Sequence, residues 1–477
     1  MNKYKRLASN TIVLALGQFG SKFLVIIMMR FYQAQLGEAG YGEVGTLIDT
    51  ATLLMAFATL SIGESIIRFG LDKSYNKSQV FSIGLRITFI GLLGCLLLLP
   101  LLSWLTGLFP DNDVLVLMNR YSWLLLIYVF TGSVKSTVGL FVRSAGYVRL
   151  YAIDGIFTTI MNILFNLLLL WAFNLGVIGY LLSVILADVC SVIFLSFMAN
   201  LRRYFLLFGL DKQLIRSMLK FSLPMIPTTV MWWITNASDS FFVSGMLGFE
   251  ATGIYKAAYR LPNIIALVSG IFSQAWNMSA ITESNSRTIA NFYSNVFSVF
   301  QSAVYVMAAG MLFVIRPVLM VICEPAFAIS YVYTPLLVMS VVFTCFSTFM
   351  GSVYVAAKKS VNSMVTACAG AVLNLILNGI LIGVMGLHGA ALSTFISYLV
   401  IFAARAVDSR KIVFMDLNLP KMLTNSIILM IMSFVIFFVE NQLVYYIVLA
   451  ATFIAVAILN YRSFIKGIKL VLNKKRQ

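Results

Sequence analysis

The chain has 477 residues, 61% of them hydrophobic and only 11% charged, with a mean hydropathy of +0.95. A soluble domain carries roughly 45–50% apolar and 25% charged residues, so a water-soluble fold is excluded and the chain reads as an integral membrane protein. Its formal charge is +17, from 34 Lys and Arg against 17 Asp and Glu; the placement of the cations points to a membrane surface and not to nucleic acid.

Strands of period two bounded by turn clusters are absent, which disfavours a barrel. Each helical span needs about 20 apolar residues. An all-α fold of fourteen transmembrane helices is predicted at about 10–33, 41–67, 79–105, 114–142, 149–173, 177–200, 217–245, 252–278, 288–315, 329–357, 361–384, 388–406, 423–439 and 443–461. Lys3, Lys5 and Arg6 precede the first apolar run, and no small-residue cleavage site follows it, so it reads as a retained anchor.

Cytoplasmic connections collect Lys and Arg. With fourteen helices, 26 cations fall on one side, including Arg68, Lys77, Arg143, Arg149, Arg202, Arg203, Arg216, Lys220, Lys359 and Arg405, and the other side holds Arg316 alone. The outer loops instead carry Glu38, Asp111, Asp113, Glu250, Glu324 and Glu440. Both termini are placed in the cytoplasm. The five cysteines, Cys95, Cys190, Cys323, Cys345 and Cys368, show no paired spacing and read as packing thiols.

Seven cations remain inside spans: Lys22, Arg30, Arg86, Arg120, Lys135, Lys256 and Arg260. A cation at the centre of a membrane helix costs roughly 2.5–3.5 kcal/mol on insertion scales. Such residues therefore call for a partner or a purpose. The acids Glu43, Asp49, Glu64, Asp188 and Asp239 also lie within the first eight spans.

Internal similarity organises the chain. "LGEAGYGEV" (36–44) and "LGFEATGIY" (247–255) share Leu-Gly with a second Gly five residues on, at an offset of 211. "NILFN" (162–166) followed by "GVIGY" (176–180) is matched by "NLILN" (374–378) followed by "GLHGA" (386–390). Two matches in one order at nearly one offset indicate a duplication. The first and seventh spans correspond, so each repeat has six helices and the same orientation, related by a pseudo-two-fold along the membrane normal. The predicted domains are 1–200 (helices 1 to 6), 201–216 (a cytoplasmic amphipathic linker), 217–410 (helices 7 to 12) and 411–477 (two added helices and a basic tail). The linker mixes Leu and Phe with Arg202, Arg203, Lys212 and Arg216. It is expected to lie on the anionic inner leaflet and to let the lobes rock.

"NTIVLALGQFGSKFLVIIMMRFYQAQLGEAGYGEV" after a basic N-terminus, "LGFEATGIYKAAYRLPNII" and "LNLILNGILIGVMGLHGAALSTFISYLV" resemble the bacterial polysaccharide (oligosaccharidyl-lipid) flippases of the multidrug/oligosaccharidyl-lipid/polysaccharide exporter superfamily. The resemblance covers nearly the whole chain. It implies a MATE-like pair of six-helix lobes, location in the bacterial inner membrane and alternating access. It implies a cargo of undecaprenyl-diphosphate-linked oligosaccharide repeat units, exported for capsule, O-antigen or exopolysaccharide synthesis. A polysaccharide polymerase and glycosyltransferases are the implied protein partners. No cofactor is implied, and coupling to H+ or Na+ is left open.

The intramembrane charges can be read in this light. Lys256 and Arg260 are four apart and share a helix face with Tyr255 and Tyr259 beside them. They can snorkel to headgroups, pair with an acid such as Asp239, or form a cationic wall for a diphosphate, with Arg as a bidentate fork and Lys as a point charge. Lys22 lies near the middle of helix 1; Arg86 and Lys135 lie nearer the inner end, and Arg30 and Arg120 nearer the outer. Together they suggest a net-positive lumen, though each can instead pair with Asp49, Glu64 or Asp188.

Asn162, Asn166, Asn374 and Asn378 read as hydrogen-bonding positions in helices 5 and 11, or as contacts for glycan hydroxyls. Pro224, Pro227, Pro262 and Pro335 are candidate kinks. The one histidine, His388, sits between glycines with no nucleophile or metal set around it, which argues against an enzyme. Two other readings remain: a lipid II flippase, whose cargo also carries a diphosphate, and a multidrug/cation antiporter, which would favour acids over cations in its lumen.

Overall fold

The computed structural model describes residues 20–72, 74–282, 289–357 and 360–473. The basic N-terminus, the start of helix 1, Lys73, Arg287, Lys358, Lys359 and the end of the basic tail lie outside the described residues. Ten helices among the described residues are long and apolar enough to cross a membrane, and an eleventh span is a pair bent by 56°. The predicted seventh and eighth spans fall on helices interrupted at residues 223–224 and at Leu261, and most of the predicted first span lies outside the described residues.

The chain packs as two compact units that divide between Gly253 and Ile254. The repeat divides it by sequence at 201–216, but packing places the division inside a long helical element. The first unit begins with helical residues 20–27 and continues as α1 (Met29–Ala58), α2 (Ile62–Leu71), α3 (Lys77–Cys95), α4 (Leu98–Leu108), α5 (Asp113–Arg120), α6 (Ser122–Ser144), α7 (Val148–Asn166) and α8 (Gly176–Met198). A short helix, α9 (Lys212–Ser222), precedes α10 (Met225–Arg260), most of which belongs to this unit.

The predicted span 41–67 is not one straight helix. Leu60 and Ser61 both adopt left-handed backbone, with φ of 50° and 51°, and this break separates α1 from α2. No Gly or Pro marks it in the sequence, so composition gave no warning.

One end of the first unit is a core of Ile62, Ile66 and Phe69 from α2, Val80, Phe81 and Ile87 from α3, and Phe141 from α6. Leu201, Leu214 and Met218, from the predicted linker and the helix it opens, are buried in the same core. Ser65 also donates to the Met218 carbonyl at 2.7 Å. The apolar stripe of α9, which starts within the 201–216 stretch expected at the membrane surface and runs into the predicted seventh span, is thus spent on protein, and the linker is docked on the first unit. Leu and Met at helical spacing suit either environment, so the pattern alone could not decide.

The second unit contains α11 (Pro262–Thr282), α12 (Ile289–Ile322), α13 (Thr334–Ala356), α14 (Ser360–Met385), α15 (Leu387–Ser409), α16 (Leu419–Phe438) and α17 (Gln442–Asn473). Its core is aromatic: Trp276 stacks on Phe349 with centroids 4.9 Å apart, and Phe349 also meets Phe297 and Phe300. The two added helices are tied in by polar contacts. Lys421 donates to Ser302 and Ser463, each at 2.7 Å, and Asn460 donates to Asn425 at 2.8 Å.

Prolines open helices more often than they kink them. Pro224 lies in the turn before α10, Pro262 is the first residue of α11 and Pro335 the second of α13. A missing N–H costs nothing in a first turn. Pro317, which the sequence reading did not single out, is the one inside α12.

Candidate functional site

The repeat motifs meet in space. Gly37 and Gly248, which correspond at the 211 offset, both leave helical geometry in the same way, at φ 65°, ψ −178° and φ 87°, ψ 176°. Left-handed φ with extended ψ is a conformation open essentially to glycine alone. Each glycine puts a kink between two helical segments. The second glycines, Gly42 and Gly253, then face one another's turns.

A Cβ on Gly42 would lie 1.9 Å from the Phe249 carbonyl oxygen, and one on Gly253 would lie 2.2 Å from the Glu38 carbonyl oxygen. Glu38 and Phe249 are themselves repeat equivalents, so the crossing is reciprocal. Behind it, Thr46 and Ser244 share a hydrogen bond of 2.9 Å, and Ser244 shares another of 2.9 Å with Thr252. Deeper still, the Trp233 indole donates to the Asp49 carbonyl at 2.8 Å. Only glycine at 42 and 253 lets these backbones come this close.

Beside the crossing lies a cavity of about 540 Å³ lined by Glu43, Thr106, Asp113, Asn119, Arg120 and Phe249. Arg120 therefore shares a wall with two carboxylates, and its surroundings there are mixed in sign.

The other predicted cations separate into distinct roles. Lys22 and Arg30 are exposed in helix 1 and α1. Lys135 pairs with Asp188 at 2.6 Å, which realises the ion-pair alternative. Arg86 donates to the Leu207 carbonyl at 2.7 Å, so its guanidinium holds the linker. Glu64 is exposed one turn before Arg68 on α2, and Arg68 lies over the Phe221 ring at 4.6 Å. Asp49 is half-buried, and Asp239 is buried within the first unit.

Lys256 and Arg260 are half-buried at the end of α10, in the second unit, and Tyr255 and Tyr259 contact each other edge-on. Arg260 is the last residue of that helix. A cation there meets the negative end of the helix dipole, a local compensation that spacing within an apolar run did not reveal.

The asparagine pairs behave alike in both repeats. Asn166 donates to the side chain of Asn162, and Asn378 donates to that of Asn374 at 3.1 Å. Each pair bonds one turn apart within its own helix, and Asn166, Asn374 and Asn378 are fully buried.

Two charged residues were missed or misplaced. Asp154, on α7, is buried and accepts from Ser191 at 2.7 Å, on the same helix α8 that carries Asp188. It adds a second acid near the Lys135 pair. A lone acid inside an apolar segment was signal enough to find it. Arg405, assigned to a cytoplasmic connection, is instead only 2% exposed on α15. Its guanidinium donates to Thr366 at 3.0 Å and to the Ser347 and Ser363 carbonyls at 2.9 and 3.2 Å, tying α13, α14 and α15 together. His388 packs between the rings of Tyr333 and Phe437.

Residues 7–277, more than half of the chain, match the family described as polysaccharide biosynthesis protein. The chain belongs to that family. Its fold is similar to the inward-closed structure of the lipid II flippase MurJ, with a TM-score of 0.69 over 95% of this chain and 100% of that one, at 15% identity. It is also similar to an inward-facing multidrug resistance MATE family transporter of the MOP superfamily, with a TM-score of 0.67 over 84% of this chain and 98% of that one, at 15% identity. A MOP superfamily transporter from Pyrococcus furiosus shares the fold with a TM-score of 0.58, over 84% of this chain and 95% of that one, also at 15% identity.

No individually curated protein matches the sequence. At this level of identity the structural likenesses establish the fold. The protein is thus a multi-pass membrane protein, helical among the described residues, with a fold shared by a flippase and by transporters.

Proposed function

We propose that the protein moves undecaprenyl-diphosphate-linked oligosaccharide repeat units from the inner to the outer leaflet of the bacterial plasma membrane by alternating access, with both termini cytoplasmic. The observation that carries this reading is the family match to polysaccharide biosynthesis on a flippase fold. The cations support it: Lys22 and Arg30 stay exposed on membrane helices, and Lys256 and Arg260 stay half-buried one turn apart. A diphosphate is the part of such a cargo that would use them, through a bidentate Arg and point-charge Lys contacts. The membrane potential has the right sign to help, since an anion moving outward from a negative interior gains about 2.3 kcal/mol per charge per 100 mV.

The reciprocal Gly42–Gly253 crossing supplies a candidate gate. Close backbone contact between matched elements of a repeat is stable when formed, and it can part as a unit. The Lys135–Asp188 pair with Asp154 nearby is a candidate for coupling to H+ or Na+.

Lipid II is the second reading, because the MurJ likeness spans the whole of that chain and the diphosphate is shared. One experiment separates the cargoes. Proteoliposomes containing the purified protein receive either an undecaprenyl-diphosphate oligosaccharide or lipid II, and externally added enzymes score each headgroup that crosses. Translocation of the oligosaccharide, lost in Arg260→Ala, is the expected result. Translocation of lipid II alone would replace this reading with the second, and efflux of organic cations with neither lipid moving would reject both.

A further inference from the structure

The linker that docks on the first unit leaves one part of itself outside. Between the 3-10 turn Leu201–Tyr204 and α9 the backbone is irregular, yet three side chains of α3 hold it. Gln79 donates to the Gly209 carbonyl at 2.9 Å and accepts from the Asp211 amide at 3.1 Å. Ser82 donates to the Tyr204 carbonyl at 3.2 Å and accepts from the Leu206 amide at 2.8 Å. Arg86 takes the Leu207 carbonyl at 2.7 Å. Gln79, Ser82 and Arg86 lie at i, i+3 and i+7, one face of the helix.

With those backbone groups satisfied by protein, the apolar side chains face outward. Phe208 is 87% exposed, Leu207 64% and Phe205 49%. Non-helical backbone is tolerated at membrane depth only when its polar groups are bonded internally, and five such groups are bonded here. The surroundings carry charge. Across residues 201–220 there are five cations, Arg202, Arg203, Lys212, Arg216 and Lys220, all exposed, against one acid, Asp211. Arg203 also donates to the Tyr147 hydroxyl, and Arg202 and Lys212 flank the apolar tip along the chain.

We propose that Phe205, Leu207 and Phe208 form a wedge that enters the headgroup–acyl boundary of the inner leaflet and that the surrounding cations select anionic phospholipid there. Aromatic tips with a basic rim suit an anionic membrane surface: the apolar part supplies insertion and the cations supply headgroup preference. The sequence reading assigned the leaflet contact to the whole 201–216 stretch. The structure narrows it to the tip, since Leu201 and Leu214 are committed to the protein core.

The test uses the full chain with Phe208→Trp in nanodiscs of equal phosphatidylglycerol and phosphatidylcholine. Bromine is placed on the acyl chains of one lipid or the other, and the fluorescence of the chain without the substitution is subtracted to remove its six native tryptophans. Brominated phosphatidylglycerol should quench the added tryptophan at least about twice as strongly as brominated phosphatidylcholine. Arg202→Gln, Lys212→Gln and Arg216→Gln together should level the two while leaving quenching in place. These positions are exposed, so folding is unaffected. Equal quenching by both lipids in the unaltered rim would overturn the anionic selectivity, and no quenching by either would overturn the wedge.

Discussion

Gly42→Ala isolates the crossing from everything else in the protein. The added Cβ would sit 1.9 Å from the Phe249 carbonyl oxygen, against the 3.4 Å at which ordinary contact begins, so the two backbones must part by about 1.5 Å. Overpacking of this kind costs roughly 1–3 kcal/mol. The same movement stretches the Thr46–Ser244 bond of 2.9 Å, a class of contact worth about 0.6 kcal/mol on average within membranes. Applied to a two-state gate, 1–3 kcal/mol changes the ratio of closed to open forms roughly 5- to 150-fold.

The assay is a disulfide trap. Thr46→Cys and Ser244→Cys replace a directly bonded pair of hydroxyls, close enough for a bridge, in a chain whose five native cysteines have been removed. Oxidation should cross-link the parent quickly and block glycan export until a reductant is added. Gly42→Ala should lower cross-linking at least about fivefold, and Gly253→Ala should do the same, as its Cβ would meet the Glu38 carbonyl at 2.2 Å. Gly40→Ala is the control, because its Cβ would meet nothing closer than 3.4 Å. Equal cross-linking in the Gly42→Ala and parent chains would refute the argument that this contact governs the gate.

Lys135→Ala leaves Asp188 buried without its cation and should cost roughly 3–5 kcal/mol, seen as poor expression and a lower melting temperature; adding Asp188→Asn should restore most of the loss, and an unchanged melting temperature in the single variant would count against the pair. Arg405→Ala removes three hydrogen bonds that join α13, α14 and α15, at about 1.5–3 kcal/mol for a bond to a charged group, so thermal unfolding of detergent-solubilised protein should move to lower temperature. Arg260→Lys should keep partial glycan export, with Arg260→Ala and Arg260→Glu inactive at normal membrane levels, and normal export by a well-expressed Ala variant would make Arg260 a bystander. Reporters fused after Lys77, Arg149, Lys220 and Lys359 should be cytoplasmic and those at Asp111 and Glu324 external, and one inversion in that series would break the assigned topology.

The sequence by itself determined the membrane class, the approximate helices and the duplication. Hydropathy is a sum over neighbours along the chain, so spans such as Gly176–Met198 are legible without any tertiary knowledge. Repeat equivalence is also local, and Gly37 and Gly248 carry their shared geometry because each needs a backbone only glycine adopts. What the tertiary structure decided was the partner of each polar group. Arg86 and Leu207 are 121 residues apart, and Lys135 and Asp188 are 53 apart, so no window on the sequence distinguishes a clamp or an ion pair from a cargo contact. The apolar face of α9 could meet lipid or protein, since both reward the same side chains, and only the packing of Leu214 and Met218 against Ile62 and Phe81 resolved it. The break at Leu60–Ser61 falls on two residues that are neither Gly nor Pro, so the residue types at the break itself did not announce its left-handed backbone.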